Sequence, residues 1–155
     1  MVEFDSASAA NILHLSDLHF GADKQSDPAA DAEKWYGQLV DDLCRELKCE
    51  RLDAVIISGD IGNFSEPGEY KAAKLFLDKL CKKFSLDASH LVIVPGNHDL
   101  NWKLSKKAYR FLHEENHKKP LKDCHFFRVS KDVIDLRNDK TYPKRFQNFI
   151  KFYQG

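Results

Sequence analysis

The sequence predicts an α/β fold with a mostly parallel sheet and flanking helices. Three short runs, residues 11–15, 54–57 and 91–94, have the length and the almost unbroken apolar character of buried strands. Segments with the apolar spacing of amphipathic helices separate these runs. Buried strands that alternate with helices are typical of a parallel sheet with helices packed on its faces.

The first helix is predicted from Asp31 to Lys48, because an apolar residue recurs there at every fourth position. The residues of this apolar stripe are Trp35, Leu39, Leu43 and Leu47. Asp27 or Asp31 is expected near the start of the helix, where a carboxylate accepts hydrogen bonds from free backbone N–H groups, and Pro28 lies close by.

A second helix is predicted between the second and third strands. Ser65 is expected to cap it. Pro67 falls in its first turn, where proline is tolerated because the N–H group there has no helical partner. The predicted apolar face of this helix consists of Tyr70, Ala73, Leu77, Leu80 and Phe84.

The remaining segments complete the predicted domain organisation. Residues 1–10 are predicted to be a loose leader, and residues 11–155 a single domain of ordinary length. In the last third of the chain, residues 104–116 are predicted to be helical and residues 125–136 have β-strand character. Residues 142–153 have the apolar spacing of another helix.

Composition and charge argue against several functional classes. The sequence has 24 Lys and Arg against 24 Asp and Glu, so no long-range field attracts nucleic acid or an anionic membrane. No run approaches the roughly 20 apolar residues of a membrane span, and acidic residues stand where a secretory signal needs basic ones. None of the 4 cysteines belongs to a C-x-x-C motif, which disfavours a zinc ribbon. A cytoplasmic protein is therefore predicted.

Positive charge is concentrated locally in the run from Lys103 to Arg110, which also contains Lys106 and Lys107. We interpret this run as the solvated face of a helix, since that is where such charges are usually found. The alternative is a local basic patch that binds an anionic ligand.

A cluster of polar residues follows each predicted strand directly. The clusters are Asp17-x-His19 after the first strand, Gly59-Asp60 with Asn63 after the second, and Gly96-Asn97-His98-Asp99 after the third. The carboxyl ends of parallel strands form the ligand crevice of an open sheet. We therefore expect the three clusters to meet in one place.

The residue types in these clusters are those of a metal site. Asp17 and His19 are two positions apart, so at an extended strand end their side chains would point the same way and hold one ion. The two oxygens of Asp60 can bridge two ions, and Asn97 offers an amide oxygen to the second. Carboxylate, imidazole and amide ligands suit ions such as Mn²⁺, Fe and Zn²⁺.

His98 is expected to lie beside the metal ions, where it can donate a proton or a hydrogen bond to a phosphoester oxygen. Asn63 or Asp99 is expected to hold the His98 ring in its orientation. The three clusters together therefore predict a metal site with a histidine beside it.

The clusters stand in the motifs LHLSDLHFG (13–21), SGDIGN (58–63) and VPGNHD (94–99). These motifs resemble the first three blocks of the calcineurin-like metallophosphoesterase superfamily, and the resemblance extends over roughly residues 11–101. It implies the first half of a four-layer α/β/β/α sandwich with a dinuclear metal site.

The resemblance also implies a role for each metal ligand. Asp17 and His19 would bind the first ion, Asp60 would bridge both ions, and Asn97 would bind the second. The two divalent ions are expected to be Mn²⁺, with Fe, Zn²⁺ or Ni²⁺ as alternatives. A hydroxide that bridges them would attack the phosphorus.

Besides Asn97, two further residues, His98 and Asn63, match catalytic positions of the family. His98 corresponds to the histidine that acts on the leaving group. Asn63 takes the place of an aspartate that orients this histidine in some members, so its pairing with His98 would carry less charge.

The implied activity is hydrolysis of a phosphoester, and of a diester rather than a phosphoprotein. Protein phosphatases of the family continue the second block with D-R-G, whereas this sequence continues with IGNFSE. The phrase HLSDLHFG is similar to both the cyclic-nucleotide phosphodiesterase branch and the DNA-repair nuclease branch. A nucleotide is therefore a candidate substrate, and the neutral charge disfavours nucleic acid.

The chain departs from the family pattern after the third block. The family completes its site with a further strand-end histidine and a G-H-x-H block, and no Gly-His dipeptide occurs in this sequence. His113, His117 and His125 do not stand in a comparable strand-end setting. We expect the domain to be truncated at its C-terminal end, without most of its second sheet. The alternative is a degenerate domain that serves as a metal-binding or interaction module without turnover.

Overall fold

A parallel sheet of three strands forms the centre of the protein. The computed structural model describes residues 9–22, 25 and 27–155, so the predicted leader lies outside the described residues except for Ala9 and Ala10. The strands are β1 (Ile12–Leu15), β2 (Ala54–Ser58) and β3 (Leu91–Val94), paired in the order β1–β2–β3. The predicted α/β class and all three predicted strands are confirmed.

The first connecting helix, α1, runs over Pro28–Asp41 and continues as a π-helical turn over Asp42–Glu46. Asp27 caps α1, and its side chain accepts a hydrogen bond from the N–H of Ala29. The helical segment therefore starts at Pro28, and Leu47, the last residue of the predicted stripe, is exposed beyond its end.

The second connecting helix, α2, runs over Pro67–Phe84, and every residue of its predicted apolar face is buried. Its N-cap is Glu66, so the predicted cap at Ser65 is wrong. A cap residue needs extended backbone dihedrals, which Glu66 has, whereas Ser65 is left-handed with φ 55° and fully buried. Within the described residues, no helix combines the length and the apolar character that a membrane span requires.

The hydrophobic core lies between one face of the parallel sheet and the helices. Alternate strand residues such as Val55 and Ile57 point into it and are fully buried, where they meet side chains from α1 and α2. The opposite face of the sheet carries Ile12, Val92 and Val94, each about half exposed. The sheet is therefore packed on one face and open on the other.

A second sheet of three antiparallel strands follows the parallel one, although most of a second sheet was expected to be missing. Its strands are β4 (Tyr109–His113), β5 (Phe126–Ser130) and β6 (Val133–Arg137), in the order β4–β6–β5. The predicted strand character of residues 125–136 is confirmed. A 3₁₀ turn over Tyr142–Phe146 then leads into α4 (Gln147–Gln154), as the spacing in residues 142–153 predicted.

The helix predicted over residues 104–116 is wrong beyond Lys107, where α3 (Trp102–Lys107) ends. Residues 109–113 pair with β6 instead, and Leu112 lies opposite Ile134, which is fully buried. Tertiary strand pairing overrides the local helical spacing here. The basic run from Lys103 to Arg110 is consequently divided between a helix and a strand.

Close packing of two loops fixes the relation between the carboxyl ends of β2 and β3. Gly59 and Gly96 face each other, and a Cβ atom added at Gly96 would lie 2.2 Å from Asp60 Oδ1 and 2.5 Å from the Asp60 backbone N. Asp60 cannot move away from such a contact unless the loop that contains it is distorted. Glycine at position 96 therefore permits the loops to approach.

We predict that Gly96→Ala lowers the free energy of unfolding by about 2 kcal/mol, because the added methyl group overlaps Asp60. Gly37→Ala is the matched control, since a Cβ there meets nothing within 4 Å and α1 gains the better helix former, worth about 0.5–1 kcal/mol. Urea denaturation of both variants checks this. Equal stability of the two variants would contradict the packing argument.

Candidate metal centre

The loops after β1 and β2 run side by side beyond the ends of the strands. The N–H of His19 donates to the Asp60 carbonyl at 2.9 Å, and the N–H of Phe20 donates to the Ile61 carbonyl at 2.9 Å. The loop after β3 joins them, because the N–H of His98 donates to Asp60 Oδ1 at 2.8 Å. These hydrogen bonds show that the three loops meet at one end of the sheet, as predicted.

Three acidic and imidazole side chains of these loops converge. Asp17, His19 and Asp60 each present one ligand atom, and these atoms lie within 4.8 Å of one another. His19 Nε2 is 3.8 Å from Asp17 Oδ1. Among the residues that the structure describes, no other cluster of three or more His, Cys, Asp or Glu side chains has this geometry.

An unusual backbone conformation brings these side chains together. Asp17, His19 and Asp60 all have left-handed dihedrals, with φ of 55°, 47° and 52°. This conformation costs a residue with a Cβ atom about 1–2 kcal/mol, and such strain is concentrated at functional sites. Asp17 and His19 were expected to align through the alternation of an extended strand. That expectation is wrong, because two left-handed residues orient them instead.

The donor set suits a divalent cation. Nδ1 of His19 is buried and has no hydrogen-bond partner among the described residues, although a buried polar atom is normally paired. Two carboxylates and one imidazole are ligands of Mn²⁺, Fe and Zn²⁺ in proteins. Among the described residues neither Asp17 nor Asp60 is paired with a Lys or Arg, so a bound cation would supply a positive partner to both carboxylates. The residues present therefore fit a metal ion.

His98 lies against this cluster, and a backbone contact orients its ring. Nδ1 is 3.0 Å from the carbonyl oxygen of Asn63, and the ring meets the His19 ring edge-on with centroids 4.7 Å apart. A carbonyl oxygen only accepts hydrogen bonds, so Nδ1 carries the proton in this contact. Nε2 is then the nitrogen that exchanges a proton, and the backbone of Asn63, not its side chain, is the orienting group.

The Asp99 carboxylate links the loops after β2 and β3. It is fully buried, and Oδ2 accepts hydrogen bonds from the N–H groups of Ile61 at 3.2 Å and Gly96 at 2.9 Å. Oδ1 accepts from the N–H of Gly62 at 3.1 Å and from the Tyr70 hydroxyl at 3.0 Å. Asp99 thereby ties both loops to α2.

The alternative role predicted for Asp99, orientation of the His98 ring, is wrong. The four donors just described occupy both of its carboxylate oxygens, whereas the His98 ring bonds to Asn63. Burial raises the pKa of the Tyr70 phenol well above its usual range, so the hydroxyl remains protonated and donates to Asp99.

A second buried carboxylate, Glu69 on α2, supports the loop after β2 and was not predicted. Its oxygens accept hydrogen bonds from the N–H groups of Phe64 at 3.1 Å and Glu66 at 3.0 Å. Burial raises the pKa of the Glu69 carboxyl, and the backbone donors partly offset that effect. The sequence did contain an indication of this role, because Glu69 stands four positions before Ala73 and therefore lies on the predicted apolar face of the helix.

Asn97 and Trp102 border a small cavity next to His98. Asn97 is exposed at the end of β3, and its role as a metal ligand stays a prediction. The cavity, about 220 Å³, is also lined by Leu100 and Lys106. The Trp102 side chain is 54% exposed, with its ring centroid 6.0 Å from that of His98. Sequence reasoning missed Trp102, since a lone tryptophan in a polar loop carries no periodic signal.

We predict that Asp99→Asn destabilises the fold by about 2 kcal/mol, because an amide nitrogen would face one of its backbone N–H donors and leave that donor unpaired. Asp41→Asn is the matched control, since Asp41 is exposed and pairs only with Arg45 in the described structure. Thermal unfolding followed by circular dichroism measures both. A similar melting temperature for the two variants would show that Asp99 does not hold the loops.

A family of known proteins matches most of the chain. The family described as calcineurin-like phosphoesterase matches residues 10–151. The chain is 30% identical over 88 residues to the SbcD component of the SbcCD nuclease of Escherichia coli strain K12, across 57% of this chain and 21% of that protein. It is 34% identical over 96 residues to the glycerophosphodiester phosphodiesterase GpdQ of Enterobacter lignolyticus, across 57% of this chain and 29% of that protein.

The two alignments cover less than a third of either relative, so this chain corresponds to one part of those proteins. The family match, by contrast, spans nearly all the described residues and includes all three strand-end clusters. The chain belongs to the calcineurin-like phosphoesterase family.

Proposed function

We propose that this chain forms the metal-binding part of a phosphodiester hydrolase. The observation that supports the proposal best is the convergence of Asp17, His19 and Asp60, with the His98 N–H bonded to Asp60. One relative is named as a component of a nuclease and the other as a glycerophosphodiester phosphodiesterase, and both names denote cleavage of phosphodiesters. A diester substrate, with a nucleotide as one candidate, follows from this combination.

The proposed metal ligands are Asp17 and His19 for one ion, Asp60 for both ions and Asn97 for the second. The Asp60 carboxylate has acceptor capacity to spare, because the His98 N–H uses one lone pair of Oδ1. Divalent cations bound here would supply Lewis-acid activation of water and stabilisation of charge on the phosphoryl oxygens. Mn²⁺ is the proposed ion, and Fe, Zn²⁺ and Ni²⁺ are the alternatives.

His98 is proposed to protonate the leaving oxygen. With Nδ1–H held by the Asn63 carbonyl, Nε2 is the atom that takes up a proton and passes it on. The carbonyl is uncharged, so its pairing with the ring carries less charge than pairing with a carboxylate would. The Trp102 ring lies 6.0 Å from this ring, centroid to centroid, and we propose that it contacts the departing group.

The second candidate function is a metal-binding or interaction module without turnover. It is favoured by one specific observation, the absence from the sequence of a Gly-His dipeptide and hence of the family's G-H-x-H block. In this case Asp17, His19 and Asp60 would bind one ion weakly. The two candidates predict different metal contents.

We predict that the chain loaded with Mn²⁺ retains two ions, and that Asp60→Ala loses both because it removes the ligand shared between them. Asp78→Ala is the matched control, since it removes an exposed carboxylate on α2. Elemental analysis after gel filtration measures the content. One weakly held ion or none would contradict a complete two-metal site in this chain, and normal content in Asp60→Ala would reject the bridging role.

We predict that His98→Gln slows hydrolysis of an alkyl phosphodiester about 10²–10⁴-fold. It should slow a p-nitrophenyl phosphodiester much less, because that leaving group departs without a proton. His113→Gln is the control, since this exposed histidine of β4 lies outside the candidate centre. Rates are compared in the full-length protein. Equal loss on both substrates would reject the leaving-group role.

A further inference from the structure

We propose that the antiparallel sheet carries a second binding site, which takes phosphate groups and is separate from the candidate metal centre. A cavity of about 700 Å³ opens beside β4 and β6, and it shares no lining residue with the metal-ligand cluster. Its lining is mostly basic. The cationic and imidazole side chains of the lining are Arg110, His117, Lys118, Lys119, Lys122, His125 and Arg137.

The charge of this cavity differs sharply from that of the chain as a whole. The sequence has equal numbers of basic and acidic residues, 24 of each. The cavity, however, brings together five Lys and Arg side chains and a single carboxylate, Asp139. Clustered like charges with apolar walls focus a positive potential, which raises the local concentration of anions.

Most of these cations have no acidic partner in the protein. In the described part of the chain, no carboxylate lies within salt-bridge distance of Arg110, Lys118, Lys119 or Lys122. Some cations elsewhere do have a carboxylate partner, as Lys103 has in Glu66 at 3.0 Å. The unpaired group therefore lacks the anion that would relieve its mutual repulsion.

Arg137 and its neighbours give the cavity a rigid wall. Arg137 Nε donates to Asp139 Oδ1 at 2.8 Å, and Nη2 donates to His125 Nε2 at 2.8 Å. His125 Nδ1 is 3.1 Å from Asp139 Oδ2, so this histidine has partners at both nitrogens. The Arg137 guanidinium also lies over the Tyr142 ring, 4.7 Å from its centroid. The wall is thus preorganised, and the Asp139 carboxylate contacts both Arg137 and His125.

The chemistry of the cavity selects a phosphate-bearing ligand. Lys and Arg are the residues that bind phosphate oxygens, and a volume near 700 Å³ lies within the usual range of ligand sites. Phosphates are found on free nucleotides and along a nucleic-acid strand. The shared ligand is therefore the phosphate group, and binding studies can separate the two sources without relying on the proposed hydrolysis.

The test uses a fluorescein-labelled single-stranded oligonucleotide on the order of ten nucleotides long, with binding followed by anisotropy. EDTA in the buffer removes divalent cations, so metal-dependent binding at the candidate metal centre does not contribute to the anisotropy. The variant is Lys118→Ala with Lys119→Ala. Its matched control is Lys82→Ala with Lys83→Ala, an exposed lysine pair at the end of α2 that lies outside the cavity.

We predict that the Lys118/Lys119 double variant binds the oligonucleotide roughly tenfold more weakly, with the logarithmic salt slope reduced by about 1.4, or about 0.7 for each lost phosphate contact. The control should bind as the parent does. Competition by inorganic pyrophosphate would identify a small phosphate ligand, and its failure to compete would identify a strand held at several points. Equal affinities of the two double variants, or no binding of oligonucleotide and pyrophosphate by the parent chain, would overturn the proposal.

Discussion

The geometry of the candidate metal centre depends on one buried carboxylate, that of Asp99. It accepts hydrogen bonds from three backbone N–H groups and the Tyr70 hydroxyl, and so joins the loops after β2 and β3 to α2. A buried charge is stable only when it is fully hydrogen-bonded, and each of these donors would be left unpaired without it. Because Ile61 follows Asp60 in the chain, the same contact positions the Asp60 backbone.

Contacts from α2 hold the loops after the strands, so residues of these loops can keep unfavourable left-handed dihedrals. Left-handed dihedrals at Asp17, His19 and Asp60 are unfavourable individually, so the surrounding structure must hold them. Glu69 contributes by accepting N–H groups of the loop after β2, and its side chain occupies the space that a Cβ at Gly62 would need. Packing and hydrogen bonding thus hold the strained backbone in the conformation that lets the three side chains converge.

Backbone hydrogen bonds join the segment after the candidate metal centre to the region of the proposed phosphate site. The N–H of Asn101 donates to the Arg145 carbonyl at 2.9 Å, and the N–H of Asn138 donates to the Ala108 carbonyl at 2.7 Å. These bonds attach the antiparallel sheet and the turn after it to residues 101–108, a segment that follows His98 and contains Trp102. A phosphate ligand in the basic cavity would therefore bind to a part of the protein that is hydrogen-bonded to the segment after His98, the candidate catalytic histidine.

The sequence alone determined the parallel strands, the buried face of α2 and the residue types at the strand ends, because apolar periodicity and turn residues are local properties. Only the tertiary structure decided how those residues are used. Pairing with β6 made a strand of residues 109–113, and burial with four donors made Asp99 a link between loops. The basic cavity likewise joins Arg110 to Lys118, Lys119 and Arg137, which are separated in the chain. Such outcomes depend on contacts between distant segments, which no local pattern encodes.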